Sequence, residues 1–473
     1  MIGAKCKYMV EDKEFALNKT SKEAKDKPLH WWQLSLMGVA CTIGTGYFLG
    51  TGVGIKIGGP AIIPAFLLAA IGTFVVFDVL ARMSSQDPQE GSFCVYARKG
   101  FGRWAGFGSG WVYFSSEILI MGSQMAALSL FTRFWFPGLP MWVFALIYAV
   151  LGLVIIILGT KGFERAEHLF AVMKLAAIIA FLAIAGAAIL GWLGGGKHAP
   201  NWPVPLFPAG AIGGWSSLIY AFYAFGGIEV MGLLAIRLKD PKEGPKAGRW
   251  MIGTLTVLYT ASLVLALSLV PWNTMGTKES PFVASLKGYG LSFVPHLFNG
   301  AFIIAGFSTM IASLFAVITI LVTLAKNKDA PPVFARVSGG QRETPYYAIG
   351  VTALALSGSI LLALLMPEKM YEYVTTAAGL MLMYNWIFIL FTSGRLLKLS
   401  GWGQTKRWIS TAIIVLAISG TVFHPMSRPG LWISLGFVVL IGGVMLLMKR
   451  IWSREQSKDR GKVRRARPEG EPT

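Results

Sequence analysis

Two glycine-rich stretches contain residues that could hold a charged small molecule inside an apolar segment. The first reads TIGTG at residues 42–46, and the second reads FGGIE at residues 225–229, where Glu229 follows a glycine pair. Closely spaced glycines allow backbone angles that end a helix, which frees amide groups on one side of the break and carbonyl groups on the other. Freed amides suit a carboxylate and freed carbonyls suit an ammonium group, so a pair of breaks predicts a site for a zwitterion.

These stretches lie in apolar segments of the kind that cross membranes. Of the 473 residues, 54% are hydrophobic and 14% are charged, and the mean hydropathy is +0.59. That balance excludes an ordinary soluble globular protein. Apolar runs of about 20 residues, the length that crosses a bilayer, predict an all-α polytopic membrane protein with twelve transmembrane helices. The predicted spans are 31–56, 60–82, 104–131, 140–160, 168–191, 212–236, 250–271, 291–325, 346–366, 370–394, 408–424 and 430–448.

The two breaks occupy corresponding places among these spans. They fall in the first and sixth spans, as expected if spans one to five and six to ten are two copies of one unit inserted in opposite orientations. Paired interrupted helices in such places point to a transporter's binding site. We predict a polar leader at 1–30, a ten-helix inverted-repeat transport core at 31–395 and two additional transmembrane helices at 396–448. A basic tail without regular structure follows at 449–473.

The glycines of the first span also allow a simpler interpretation. Gly46, Gly50, Gly54 and Gly58 recur every four residues, which lines one helical face with hydrogen and lets a neighbouring helix approach closely. A glycine-rich packing helix without a break therefore remains an alternative for this span taken alone. The second interruption favours a break, because packing by glycine would not require the pairing.

The distribution of basic residues predicts the orientation. Of the 43 Lys and Arg residues, 35 fall in the leader, the tail and the loops that are cytoplasmic if the N-terminus is inside. The positive-inside rule then places this multi-pass protein in the cell membrane with both termini cytoplasmic. The net charge of +20 is spread over all these segments. It therefore favours contact with anionic membrane lipid over nucleic acid.

The sequence contains no signal for catalysis or for a bound cofactor. Cys6, Cys41 and Cys94 lie in the leader, in a span and in an inner loop, so neither a disulfide framework nor a metal cluster is predicted. No zinc, phosphate-loop or nucleophile-elbow motif is present. All five histidines fall at or near span ends. We therefore predict a protein that is not an enzyme and that has no cofactor and no metal.

Four motifs resemble those of the amino acid permeases of the amino acid, polyamine and organocation (APC) superfamily. VACTIGTGYFLGTG resembles the first-span motif, and FYAFGGIE followed by LKDPKEGPKAGR resembles the sixth-span motif and its loop. PQEGSFCVYARKGFGRWAGFGSGW is similar to the connection between the second and third spans. SPFVASLKGYG and DAPPVFARV resemble the segments before and after span eight. The resemblance covers roughly residues 28–395.

The resemblance implies a secondary active amino acid permease that works by alternating access. Its partners would be an amino acid, a coupling proton and membrane lipid, while the oligomeric state stays open. Backbone amides would bind the substrate carboxylate at Thr42, Ile43, Gly44, Thr45 and Gly46. Carbonyls would bind its amino group at Tyr223, Ala224, Phe225 and Gly226. Phe225 and Ile228 would form an outer lid. An exchanger and a nontransporting amino acid sensor remain alternatives.

Four side chains within the spans are candidates for further roles. Lys174 is the only Lys or Arg in the interior of a predicted span, and an intramembrane ionisable residue is costly enough to suggest a function. The matching lysine of similar permeases supplies a positive charge where sodium-coupled members of this fold bind their ion, so we predict proton coupling through Lys174. The alternative is that Lys174 snorkels to the inner surface. Glu117, Gln124 and Glu229 are further possible site residues, and Glu229 is favoured as a buried structural or gating partner.

Span eight suggests the substrate's side chain. Many relatives carry an Asn-Ser pair where this chain has Ile311 and Ala312. If span eight lines the pocket, the loss of those polar groups favours an apolar side chain. We therefore predict a neutral L-amino acid, with a branched aliphatic side chain favoured. Basic, aromatic and aminobutyrate substrates remain open.

Overall fold

A computed structural model describes residues 28–158, 160–193, 205–338, 344–365 and 369–465. In these residues every regular element longer than an isolated bridge is a helix. Most of the predicted leader, residues 1–27, lies outside the described part of the chain, as does the end of the predicted tail, 466–473. The all-helical fold class is confirmed.

We number the helices in chain order. The first half of the core contains α1 (Trp31–Thr42), α2 (Thr45–Phe48), α3 (Gly50–Gly58), α4 (Ile62–Gln86), α5 (Ser92–Phe101), α6 (Arg103–Arg133), α7 (Met141–Leu158) and α8 (Thr160–Ile189). The second half contains α9 (Gly210–Tyr223), α10 (Ile228–Leu234), α11 (Gly244–Leu269), α12 (Pro281–Leu286), α13 (Phe293–Lys326), α14 (Tyr346–Leu365) and α15 (Met370–Leu396). Two further helices follow, α16 (Gly401–Gly420) and α17 (Arg428–Arg465).

The predicted spans coincide with these helices or, for spans one and six, with interrupted helices. Nine segments of the described residues are long and apolar enough to cross a membrane, and one of them, Thr45–Gln86, covers α2 to α4. The helix Tyr346–Leu361 is a shorter apolar one. The tail prediction is wrong for its first part, because α17 continues to Arg465. Its Lys, Arg, Glu and Gln residues are good helix formers, so a helix that is already nucleated extends through them.

The glycine face of span one packs against the first half of span six. A Cβ built on Gly58 would lie 2.7 Å from the hydroxyl of Ser217, and one on Gly54 would lie 3.3 Å from the Cβ of Tyr220. Both partners belong to α9. The predicted close approach therefore occurs, and it places the two interrupted helices side by side.

A buried carboxylate ties three elements together near the start of α6 and the end of α13. Asp329 is 2% exposed, and its carboxylate oxygens lie 3.1 Å from Arg98 Nη1 and 2.7 Å from Arg103 Nε. The guanidinium of Arg103 also lies over the ring of Trp452, 4.9 Å from its centroid. These contacts, which we call the Asp329 clamp, therefore join α5, α6, the segment just after α13 and the part of α17 that contains Trp452.

We expect Asp329→Asn to lower thermal stability clearly, because it leaves two arginine heads facing a neutral amide. Breaking a buried ion pair costs about 3 kcal/mol, and the partial exposure of both arginines reduces that to about 2 kcal/mol. The measurement is thermal unfolding of the purified protein in detergent. The matched control is Asp87→Asn, which removes an exposed carboxylate whose pKa is lowered by its bond to Lys99. Equal stability of the two variants would contradict the clamp.

Candidate functional site

The first interruption lies between α1 and α2. Ile43 and Gly44 both have extended backbones, with ψ of 106° at Ile43 and φ of −154° at Gly44. Gly44 is close to α13, since a Cβ there would lie 2.6 Å from Thr309 Oγ1. The first predicted break is therefore present, and it is confined to two residues. The first amides of α2 are left without helical carbonyl partners by this geometry.

The second interruption joins α9 to α10 and packs directly on the first. Residues 224–227 form a turn, and Gly227 has φ of +106°, a left-handed conformation that favours glycine. A Cβ on Gly227 would lie 2.6 Å from the carbonyl oxygen of Cys41 at the end of α1. Both predicted breaks are thus present, and they meet at the centre of the molecule.

The two breaks create four helix ends, namely the end of α1, the start of α2, the end of α9 and the start of α10. At the end of α1 and the start of α10, a buried side chain of complementary charge contacts the backbone. The backbone of Leu29, just before α1, pairs with that of Leu238, just after α10, so α1 and α10 lie on the same side of the molecule. Lys174 donates a hydrogen bond from Nζ to the carbonyl of Ala40 in the last turn of α1. Glu229 Oε2 accepts the amide of Gly227 at the start of α10 at 3.1 Å. These contacts match the negative carbonyl end of one helix and the positive amide end of the other.

Lys174 and Glu229 are held in these positions by burial. Both side chains are fully buried, so Lys174 does not snorkel to a surface. The indole of Trp386 donates a hydrogen bond to Glu229 Oε1. Neither residue is among those that line the cavity described next. Both side chains therefore contact the backbone at the breaks from outside the cavity.

A small cavity lies where the two breaks meet α6 and α13. It is bounded by the backbone of both breaks and by side chains from the two neighbouring helices. The lining residues are Cys41, Thr42, Gly44, Thr45, Gly46, Glu117, Ile120, Gln124, Tyr223, Gly226, Gly227, Thr309 and Ser313. Of the predicted substrate residues, Thr42, Gly44, Thr45, Gly46, Tyr223 and Gly226 therefore reach the cavity, as do Glu117 and Gln124. Ile43, Ala224 and Phe225 do not.

Several buried polar atoms on this lining have no hydrogen-bond partner within the described part of the chain. They are Thr42 Oγ1, Thr45 Oγ1, Glu117 Oε2 and Gln124 Oε1. Each of the four side chains is at most 5% exposed. Buried polar atoms are normally hydrogen-bonded. Four unpaired polar atoms around one cavity therefore point to a polar ligand.

Three tyrosine hydroxyls hold the breaks in place. Tyr371 donates to the carbonyl of Thr45 at 3.1 Å, and Tyr259 donates to the carbonyl of Ala224 at 3.3 Å. The hydroxyl of Tyr223 lies 2.6 Å from Ser123 Oγ on α6. The irregular backbone is therefore buried in protein and partly satisfied by side chains, which is the condition for a break at membrane depth.

The predicted lid residues lie beside the site rather than on its lining. Phe225 is fully buried. The centroid of its ring lies 6.0 Å from the ring centroid of Phe66 and 5.4 Å from that of Tyr259. Ile228 is fully buried at the start of α10. The gating role of Phe225 and Ile228 stays a prediction.

Span eight reaches the cavity with polar groups, which does not support the argument for an apolar substrate side chain. Ile311 and Ala312 are buried but do not line the cavity, whereas Thr309 and Ser313 do. Residues four apart share one face of a helix, and packing turns that face of α13 toward the breaks. Sequence reasoning missed Cys41, Ile120, Thr309 and Ser313 as lining residues, although hydroxyls four apart in an apolar span were a signal for Thr309 and Ser313. The basis for an aliphatic side chain is therefore removed.

Comparisons with known proteins show which family the chain resembles. The family model described as amino acid permease matches residues 33–449. The chain is 51% identical to the uncharacterized transporter YcgH of Bacillus subtilis, over 93% of this chain and 99% of that protein. It is 30% identical to the aromatic amino acid transport protein AroP of Corynebacterium glutamicum, over 90% of each chain. It is also 30% identical to the L-asparagine permease of Escherichia coli, over 77% of this chain and 74% of that protein.

Proposed function

The chain belongs to the amino acid permease family, and we propose that it takes up a neutral L-amino acid by proton-coupled alternating access. The family is one of transporters, which agrees with the prediction that the chain is not an enzyme. The observation that supports the proposal most directly is the contact between the two breaks, because it brings the amide end of α2 and the carbonyl end of α9 to one cavity.

The ends of α2 and α9 are complementary to a zwitterion. Lys174 contacts the end of α1, and Glu229 contacts the start of α10. The start of α2 and the end of α9 therefore remain for a ligand. Amides at residues 44–46 would bind the substrate carboxylate, and carbonyls near Tyr223 would bind its ammonium group. A neutral side chain agrees with the names of two relatives, the aromatic amino acid transport protein AroP and the L-asparagine permease.

Lys174 is the proposed site of proton coupling. Its ammonium group is buried against the end of α1, so its charge bears directly on the break that binds the substrate. Gain or loss of a proton there changes the electrostatic match at that helix end. The charge state of Lys174 would thereby be coupled to occupancy of the site and to movement of the interrupted helices.

The remaining predictions complete the proposed picture of the transporter. The ten spans over 31–395 act as an inverted-repeat transport core, and the two spans over 396–448 lie outside the repeat. Both termini are cytoplasmic in the cell membrane, as the basic loops favour. Phe225 and Ile228 close the outer side. Anionic lipid contacts the basic leader and tail.

The test is uptake of a radiolabelled amino acid mixture into proteoliposomes with an imposed inward proton gradient. We expect accumulation that is competed by neutral amino acids and lost when the gradient is collapsed. Empty liposomes are the control. Uptake driven by sodium and indifferent to pH would refute the coupling. Uptake that occurs only against internal amino acid would favour an exchanger, and binding without flux would favour a sensor.

A further inference from the structure

We propose that the side-chain pocket selects uncharged polar side chains, such as carboxamides and hydroxyls, rather than aliphatic ones. The inference rests on the proposed function, because it takes the two breaks as the site of the substrate's α-groups. It concerns the other part of the same cavity. The residues that carry it are Gln124, Glu117, Ser313 and Thr309.

The division of the cavity follows from its lining. Backbone from the two breaks supplies one part, and the rest comes from α6 and α13. If the breaks hold the carboxylate and the ammonium group, the substrate's side chain must project toward α6 and α13. Four of the five lining residues on those two helices are polar, and Ile120 is the exception. This is not the lining of an aliphatic pocket.

The unpaired atoms on α6 indicate which groups the substrate's side chain should carry. Gln124 Oε1 and Glu117 Oε2 are buried acceptors without a partner in the described residues. They lie seven residues apart, two turns along one face of α6. A substrate side chain with an N–H or O–H group satisfies such acceptors, whereas a leucine or valine side chain leaves them unpaired and buried. Unpaired buried groups discriminate strongly against the analogue that lacks the donor.

The rest of the lining favours a neutral side chain over a cation. Gln124, Thr309 and Ser313 carry amide or hydroxyl groups, which both donate and accept hydrogen bonds. Carboxamides and hydroxyls do the same, so both partners can be satisfied at once. The ammonium group of lysine has no acceptor atom to offer them.

The test measures competition against bound label rather than flux, with the protein purified in detergent. Radiolabelled L-glutamine is bound and displaced by unlabelled glutamine, asparagine, serine, leucine, valine and lysine. We expect glutamine, asparagine or serine to compete at least about tenfold better than leucine or valine, as one well-placed hydrogen bond allows. Gln124→Leu should reduce the ratio of leucine to glutamine half-maximal concentrations by about tenfold. A ratio does not depend on how much protein is folded.

Two variants keep the test independent of folding. Gln124→Met is close in size to glutamine and should shift the ratio in the same direction. Met125→Leu changes the next residue, which is buried but not on the lining, and should leave the ratio unchanged. A retained preference for polar amino acids in both Gln124 variants would overturn the role of Gln124.

Three further outcomes would overturn the pocket itself. They are equal competition by leucine and glutamine, preferential competition by lysine, and no displaceable binding of glutamine. Failure of this inference is distinct from failure of the proposed function. Gradient-driven uptake of leucine would support the proposed permease and reject the polar pocket. Selective binding of glutamine without flux would support the polar pocket and reject the proposed permease.

Discussion

Gly227→Ala is expected to abolish uptake, reducing it to the level of empty liposomes. The residue has φ of +106°, and an added Cβ would lie 2.6 Å from the carbonyl oxygen of Cys41. A left-handed backbone alone costs a non-glycine residue about 1–2 kcal/mol, and the clash with backbone cannot be relieved by rotating a side chain. The two breaks must therefore separate, which removes the paired helix ends from the cavity. The measurement is uptake together with thermal stability in detergent.

The matched control for this substitution is Gly253→Ala. Gly253 lies inside α11, is exposed, and has open space where a Cβ would stand. Alanine in a helix interior is favoured over glycine by about 1 kcal/mol, so this variant should keep full uptake and equal or higher stability. Normal uptake by Gly227→Ala would show that the contact between the breaks is not needed for transport.

Lys174→Met is expected to reduce proton-driven uptake by about 100-fold. The methionine keeps the length of the side chain but removes the charge at the end of α1. A hydrogen bond from a charged group contributes about 1.5–3 kcal/mol, and about 2.7 kcal/mol corresponds to a hundredfold change. The expected loss lies in accumulation against a gradient. The measurement is uptake with and without an imposed pH difference.

Lys174→Arg separates charge from proton transfer at the same place. Arginine keeps the positive charge but does not lose its proton in proteins, so substrate binding should persist while gradient-driven accumulation is lost. Met173→Leu, a change at the exposed neighbouring position, is the control and should behave like the unaltered protein. Full proton-driven accumulation by both Lys174 variants would assign coupling to another residue.

The sequence alone determined the features whose physical cost is local. A glycine pair or a lysine in an apolar run is unfavourable at membrane depth unless the structure uses it. The interruptions in spans one and six and the all-helical fold could therefore be predicted, whereas the sequence left burial and snorkelling of Lys174 as alternatives. The resemblance added the residues of the two breaks, and six of its nine substrate positions reach the cavity.

Only the tertiary structure decided which side chains meet at the breaks. Lys174 donates a hydrogen bond to the carbonyl of Ala40, 134 residues earlier in the chain. No sequence pattern in either segment predicts that contact. The same holds for α13, where Thr309 and Ser313 face the cavity and Ile311 and Ala312 do not. The hydroxyls of Thr309 and Ser313 lie four residues apart and mark one face of α13, but they do not indicate which neighbouring helices that face meets. Packing against the neighbouring helices sets the rotation of α13, and with it the polar character of the pocket.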